Sequence, residues 1–187
     1  MQVSLPGLLS QLLLGLVNGS FYAILSLGLA VIFGLLNVIN FAHGALFMMG
    51  AVLTWMAMTY WNVSYWVMLI AAPVVVGLFG VLIERFFLRW IYKLDHLYGL
   101  LLTLGLTLVI EGAFRSFYGV SGLAYDTPES LEGAMNLGFM MLPKYRVWVV
   151  VASLVVCFAT WFVIEKTRLG AYLRAGTESP RLVVVLG

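Results

Sequence analysis

The sequence predicts an all-α, polytopic transmembrane helical bundle of about five membrane segments, with a broken or re-entrant element near residues 35–44. Three observations carry this prediction. No Asp, Glu, Lys or Arg occurs before Glu84, so 83 consecutive residues avoid charge. A charge near the bilayer centre costs about 2.5–3.5 kcal/mol or more, whereas water tolerates it freely. The chain is 63% hydrophobic and 10% charged, against about 25% charged in soluble domains. Apolar blocks of membrane-crossing length also recur along it, separated by aromatic or polar punctuation. About 20 apolar residues at ~1.5 Å each cross the hydrocarbon core, so the charge-free stretch holds three crossings.

The spans follow in order as 8–36, 44–60, 65–83, 97–118 and 145–164, within a single transmembrane domain covering 1–187. Between the second and third lies Tyr60-Trp61-Asn62-Val63-Ser64-Tyr65-Trp66, an aromatic cluster of the kind that sits at headgroup level. A polar stretch, 119–144, carries Asp126, Glu129 and Glu132. The first apolar run has no Lys or Arg before it, so a cleaved signal would lack its basic n-region and the first span is expected to remain as an anchor.

Orientation follows from basic residues near the span ends. Loop 84–96 carries Arg85, Arg89 and Lys93, and tail 165–187 carries Lys166, Arg168, Arg174 and Arg181. Segment 119–146 carries only Lys144 and Arg146. This bias predicts that 84–96 and 165–187 are cytoplasmic, with Met1 outside.

A polar dip separates the first two blocks, where Asn37, Asn40 and His43 interrupt apolar sequence before Gly44. Broken backbone at membrane depth survives only when buried in protein or facing water. Side-chain amides and an imidazole would satisfy the freed backbone groups. The competing reading is an ordinary interfacial turn. Gly15-x-x-x-Gly19 on the first block predicts close helix approach there. Glu111 and Arg115 stand at i, i+4 on the fourth block, in the favourable order for an ion pair. They read either as an interfacial pair or as a lining of an outer pathway mouth.

Enzyme classes fare badly. The chain has no Gly-x-Ser-x-Gly, no His-Glu-x-x-His and no phosphate-binding Gly-x-x-x-x-Gly-Lys, which removes the usual hydrolase, metalloprotease and nucleotide motifs. His43 and His96 are far apart, and Cys157 is alone, so no disulfide, metal site or cofactor is expected. A net charge of +2 is too small to indicate a nucleic-acid partner; the lipid bilayer is the partner the composition requires. In the tail, Thr167 to Ala175 mixes basic and apolar residues and Gly176 is expected to break it. Ser179-Pro180 then reads as an N-cap with Pro at the first helical position, followed by a short helix over Arg181 to Leu186. Such a helix would dock into a groove on a soluble partner or lie on anionic lipid.

Three stretches carry a resemblance: Asn18-Gly19-Ser20-Phe21-Tyr22-Ala23 running on through Gly28 to Gly34, then Val38-Ile39-Asn40-Phe41-Ala42-His43-Gly44, and Arg168-Leu169-Gly170-Ala171-Tyr172-Leu173-Arg174-Ala175 leading to Gly187. With them the chain resembles permease subunits of the high-affinity branched-chain amino acid ABC importers, the smaller of their two permeases. The resemblance implies a bacterial inner-membrane subunit that assembles with a second homologous permease, two cytoplasmic ATPase subunits and a periplasmic substrate-binding protein. ATP hydrolysis would then belong to other chains. It also implies an ATPase-coupling segment over Arg174, Ala175, Glu178, Ser179, Pro180, Leu182, Leu186 and Gly187. Val183 departs from the small residue expected at its position. Family members are longer, so 1–187 reads as the N-terminal portion of a permease or a truncated product. Transport of urea, amides or other amino acids is the alternative within the family, and a membrane protein without transport activity the alternative outside it.

Overall fold

The computed structural model describes residues 5–36, 40–91 and 96–178. Helices α1 (Leu5–Leu36), α2 (Ala42–Trp61), α3 (Tyr65–Ile83), the short α4 (Arg89–Ile91), α5 (His96–Tyr118), α6 (Lys144–Lys166) and α7 (Arg168–Glu178) dominate it. Among the described residues, five helical segments are long and apolar enough to cross a membrane: Leu5–Gly34, Ala42–Trp61, Tyr65–Ile91, Leu97–Tyr118 and Lys144–Lys166. Phe, Leu, Ile and Val side chains lie exposed along all of them, as lipid as solvent allows. The protein is a multi-pass helical membrane protein.

The chain falls into two compact units, 38–126 and a second made of 1–37 with 127–187. In the first, α2 packs against both α3 and α5. Its buried face is a stripe of Ala42, Ala45, Met49 and Ala57. Small residues at this spacing let backbones approach without a hydrophobic driving force. Asn62 ends α2 in the left-handed conformation, φ 49°, which Asn tolerates better than most residues. The Ser64 carbonyl then accepts from Val67 and Met68 N–H, each at 3.1 Å, so three residues turn α2 into α3. Ala57, Met68 and Ala72 form the core of that hairpin. Pro73 sits inside α3, where its missing N–H leaves one carbonyl unpaired; membrane helices accommodate this locally. At the first charges the helix loosens into a π-helical turn, Glu84–Leu88, that leads into α4.

In the second unit α1 packs on α6. The contact buries Val17 and Ser20 of α1 and Val149 and Ser153 of α6. Both serines donate to their own helix, Ser20 Oγ to the Val17 carbonyl at 2.6 Å and Ser153 Oγ to Val149 at 2.7 Å, so no hydroxyl is orphaned in the apolar contact. Among the described residues the expected close approach at Gly15 and Gly19 does not form: a Cβ at either would meet nothing within 4 Å. The packed seam lies on the opposite side of the helix, on the Val17–Ser20 face. The polar stretch contributes the little non-helical structure present, a 3₁₀ turn at Glu129–Leu131 and a two-stranded antiparallel hairpin, β1 (Ala134–Asn136) with β2 (Met141–Pro143), pairing Met135 with Leu142. Leu142 is its buried residue and anchors it beside α6.

Candidate functional site

The polar dip becomes a helix start built by two side chains. Asn40 Oδ1 accepts the Ala42 N–H at 3.0 Å, and the His43 N–H reaches the Asn40 carbonyl at 3.4 Å. Asn40 thus caps α2, satisfying donors that have no intrahelical partner. The Phe41 N–H is taken from outside the segment, by Thr103 Oγ1 of α5 at 3.3 Å. Thr103 is fully buried and returns its own proton to the Leu100 carbonyl at 3.1 Å. Its carbonyl in turn accepts from Thr107 Oγ1 at 2.9 Å. His43 is half-buried and Gly44 exposed. Asn37 lies outside the described residues.

Two contacts fix how α2 and α5 run. Phe41 meets Thr103 at one end, and Trp55 packs edge-on to Tyr118 at the other, centroids 5.6 Å apart. The helices are parallel. Thr103 lies seven residues, about 10 Å, into α5, with some 22 Å still to Tyr118. The start of α2 therefore meets α5 about a third of the way along a membrane-crossing helix. The Thr103 and Asn40 hydrogen bonds satisfy backbone donors freed at this helix start. Sequence reasoning named Asn40 and missed Thr103. A single Thr in an apolar block carries no pattern of its own, since Thr commonly bonds back to its own helix.

Gly44 is not a point of close approach within this chain: a Cβ there would find nothing within 4 Å. The neighbour Ala45, 1% exposed, is the tightly packed position.

The far end of the same unit is aromatic. Trp55 donates its indole N–H to the Ala124 carbonyl at 2.8 Å and packs edge-on to Tyr60 as well as Tyr118. Tyr65 meets both Trp66 and Tyr125 edge-on. Amphipathic rings gathered at one helix end mark a membrane–water boundary. Glu111 and Arg115 lie within two turns of Tyr118 and form their ion pair at 3.4 Å, exposed on both sides. An exposed pair of this kind contributes about 0.3–0.5 kcal/mol; its position near the boundary matters more than its strength.

The tail turns sharply after α6. Thr167 leaves helical geometry, φ −109° and ψ 160°, its carbonyl accepts from Ala171 N–H at 3.3 Å, and its Oγ1 accepts the Gly170 N–H at 3.5 Å. This is an N-cap for α7. Gly170 is buried against α6: a Cβ there would lie 2.6 Å from the Ile164 Cα and overlap the Ile164 carbonyl. One turn on, Arg174 pairs with Glu165 at 2.9 Å. The expected break at Gly176 does not occur, and α7 continues to Glu178; after a capped start, glycine's cost of about 1 kcal/mol does not end a helix. Ala175 is exposed on α7. Ser179, Pro180, Leu182, Leu186 and Gly187 lie outside the described residues. Among the described residues no group of three or more His, Cys, Asp or Glu gathers as a metal site would require.

Five helices long and apolar enough to cross a bilayer, among the described residues, define a polytopic helical membrane protein. Comparison with known proteins gives the family. Residues 11–187 match the branched-chain amino acid transport system permease component family, and the chain belongs to it. It is 27% identical over 190 residues to the high-affinity branched-chain amino acid transport system permease protein BraD of Pseudomonas aeruginosa, covering 96% of this chain and 62% of that one. It is 24% identical over 194 residues to the corresponding LivH proteins of Escherichia coli K12 and Salmonella typhimurium, with the same coverage. The chain thus spans 62% of the length of these relatives. No solved structure matches it. Members of this family are transport permeases, not enzymes in themselves.

Proposed function

We propose that the chain is a permease subunit, or the N-terminal part of one, of an ABC importer that moves branched-chain amino acids across a bacterial inner membrane. The observation that carries this is the family match over 11–187, which includes the Asn40–Gly44 break. In this reading Asn40 and His43 stand beside the translocation pathway, Gly44 gives the break its thin wall, and Glu111 with Arg115 lines its outer mouth. Asn37, whose side-chain amide sits just before the break in sequence, belongs to the same element. A second homologous permease completes the pathway, a periplasmic binding protein delivers substrate, and two cytoplasmic ATPase subunits drive alternating access. The contact to the ATPases is assigned to Arg174, Ala175, Glu178, Ser179, Pro180, Leu182, Leu186 and Gly187.

The test is uptake of labelled leucine by membrane vesicles holding the permease gene's full product with its partner permease, ATPases and binding protein. Uptake should require ATP and be competed by isoleucine and valine. Competition by urea or short amides, with none by leucine, would move the protein to the alternative substrate class. Leu182→Asp or Leu186→Asp should leave assembly intact while uncoupling hydrolysis from uptake, because a charge desolvated in an apolar groove costs several kcal/mol.

A further inference from the structure

Helix α7 begins one residue after the membrane-crossing α6 ends, and its register divides it into faces. At about 100° per residue, Gly170 and Arg174 share the side that meets α6, one by its buried close approach to Ile164 and the other through Glu165. Leu169, Tyr172 and Leu173 share a different side, and all three are exposed, at 67%, 65% and 42%. Ala171 falls on the side opposite those three and is exposed. The α7 corner is thus fastened to α6 on one face and shows an apolar stripe on another.

The surroundings of that stripe are basic. Lys166 and Arg168 flank the turn and are exposed, while the charge of Arg174 is balanced by Glu165. Lys166 Nζ stands 5.8 Å from the ring centroid of Trp161, earlier on α6. Trp and Lys together at the end of a spanning helix fix the level of the headgroups. The apolar stripe starts at that level, three residues later.

We propose that α7 is an interfacial helix: it lies in the headgroup layer of an anionic bilayer, with Leu169, Tyr172 and Leu173 turned into the lipid and Lys166 and Arg168 on lipid phosphates. Amphipathic helices with basic flanks bind such surfaces through apolar burial plus attraction to anionic headgroups. Continuity with α6 removes the entropy cost of bringing the helix to the surface, so three apolar side chains suffice. The Gly170 contact and the Thr167 cap hold α7 at a set angle to α6. The Ala171 side is left facing the aqueous phase. The proposal rests on α6 crossing the membrane and is independent of what the protein transports.

Site-directed spin labelling tests it, using the chain with Cys157→Ala in nanodiscs of phosphatidylcholine and phosphatidylglycerol. Single cysteines replace Leu169, Tyr172 or Leu173, and, as the control, Ala171. The labels at 169, 172 and 173 should collide with oxygen several-fold more than with a water-soluble nickel complex, and that at 171 the reverse. Nickel-accessible labels at all four positions would show a solvated arm and overturn the proposal. Labels at 169, 172 and 173 shielded from both reagents would show a protein covering and overturn it equally. With Lys166→Gln and Arg168→Gln together, the immersion of the label at 173 should decrease in the anionic discs and stay unchanged in pure phosphatidylcholine. An equal response in both lipids would remove the anionic part of the assignment.

Discussion

Thr103 accepts a backbone amide that has no intrahelical partner at the start of α2. Its hydroxyl serves Phe41 N–H at 3.3 Å while donating to Leu100, and it is fully buried. Replacing it by Val keeps shape and volume but leaves the Phe41 N–H without an acceptor. An unsatisfied buried donor costs about 1–3 kcal/mol. The expected outcome of Thr103→Val is a melting temperature in detergent lowered by several degrees, with Thr103→Ser retaining most of the wild-type value. Nearby, Gly44→Ala should leave the melting temperature unchanged, since a Cβ there has open space. Ala45→Leu should lower it, because overpacking a filled contact costs about 1–3 kcal/mol. The two neighbours separate a position where the fold needs a small side chain, Ala45, from one where it does not, Gly44.

At the scale of the element, the α6–α7 corner depends more on steric fit than on charge. The Glu165–Arg174 pair is about half exposed on both sides, which limits it to about 0.2–1 kcal/mol. A Cβ at Gly170 meets the Ile164 backbone, which cannot rotate away as a side chain does. Gly170→Ala should therefore change the angle of α7, while Glu165→Gln should barely affect it. Distances between spin labels at 158 and 175, measured by double electron–electron resonance, would shift in the first variant and hold in the second. A hairpin such as α2–α3 was readable from Asn62-Val63-Ser64 flanked by apolar blocks. The continuation of α7 through Gly176 was not, because a single glycine weakens a helix without telling whether the neighbouring turns hold.

For the whole molecule, charge bias makes a prediction independent of any helix contact. Loop 84–96 and the tail from 165 hold seven of the ten Lys and Arg residues, which assigns both to the cytoplasm. In a Cys157→Ala background, cysteines at Lys93 and Arg174 should resist a membrane-impermeant thiol reagent in intact cells, and one at Glu129 should react. Labelling at Lys93 with protection at Glu129 would invert the orientation and remove the ATPase-coupling assignment with it.

The sequence alone determined that lipid is the solvent, which stretches are long and apolar enough to cross it, and which family the chain belongs with. Those properties follow from composition over 20-residue windows and from a local motif, Asn-Phe-Ala-His-Gly, and none needs a packing partner. Only the tertiary structure decided which face of each helix is buried: Val17 and Ser20 rather than Gly15 and Gly19, Ala45 rather than Gly44, and Thr103 as the acceptor for Phe41. The reason lies in the bilayer. A helix in water shows its buried side by being apolar there and polar elsewhere. A helix in lipid is apolar on every side, so that periodic signal vanishes and the buried face is set by steric fit and hydrogen bonding between helices.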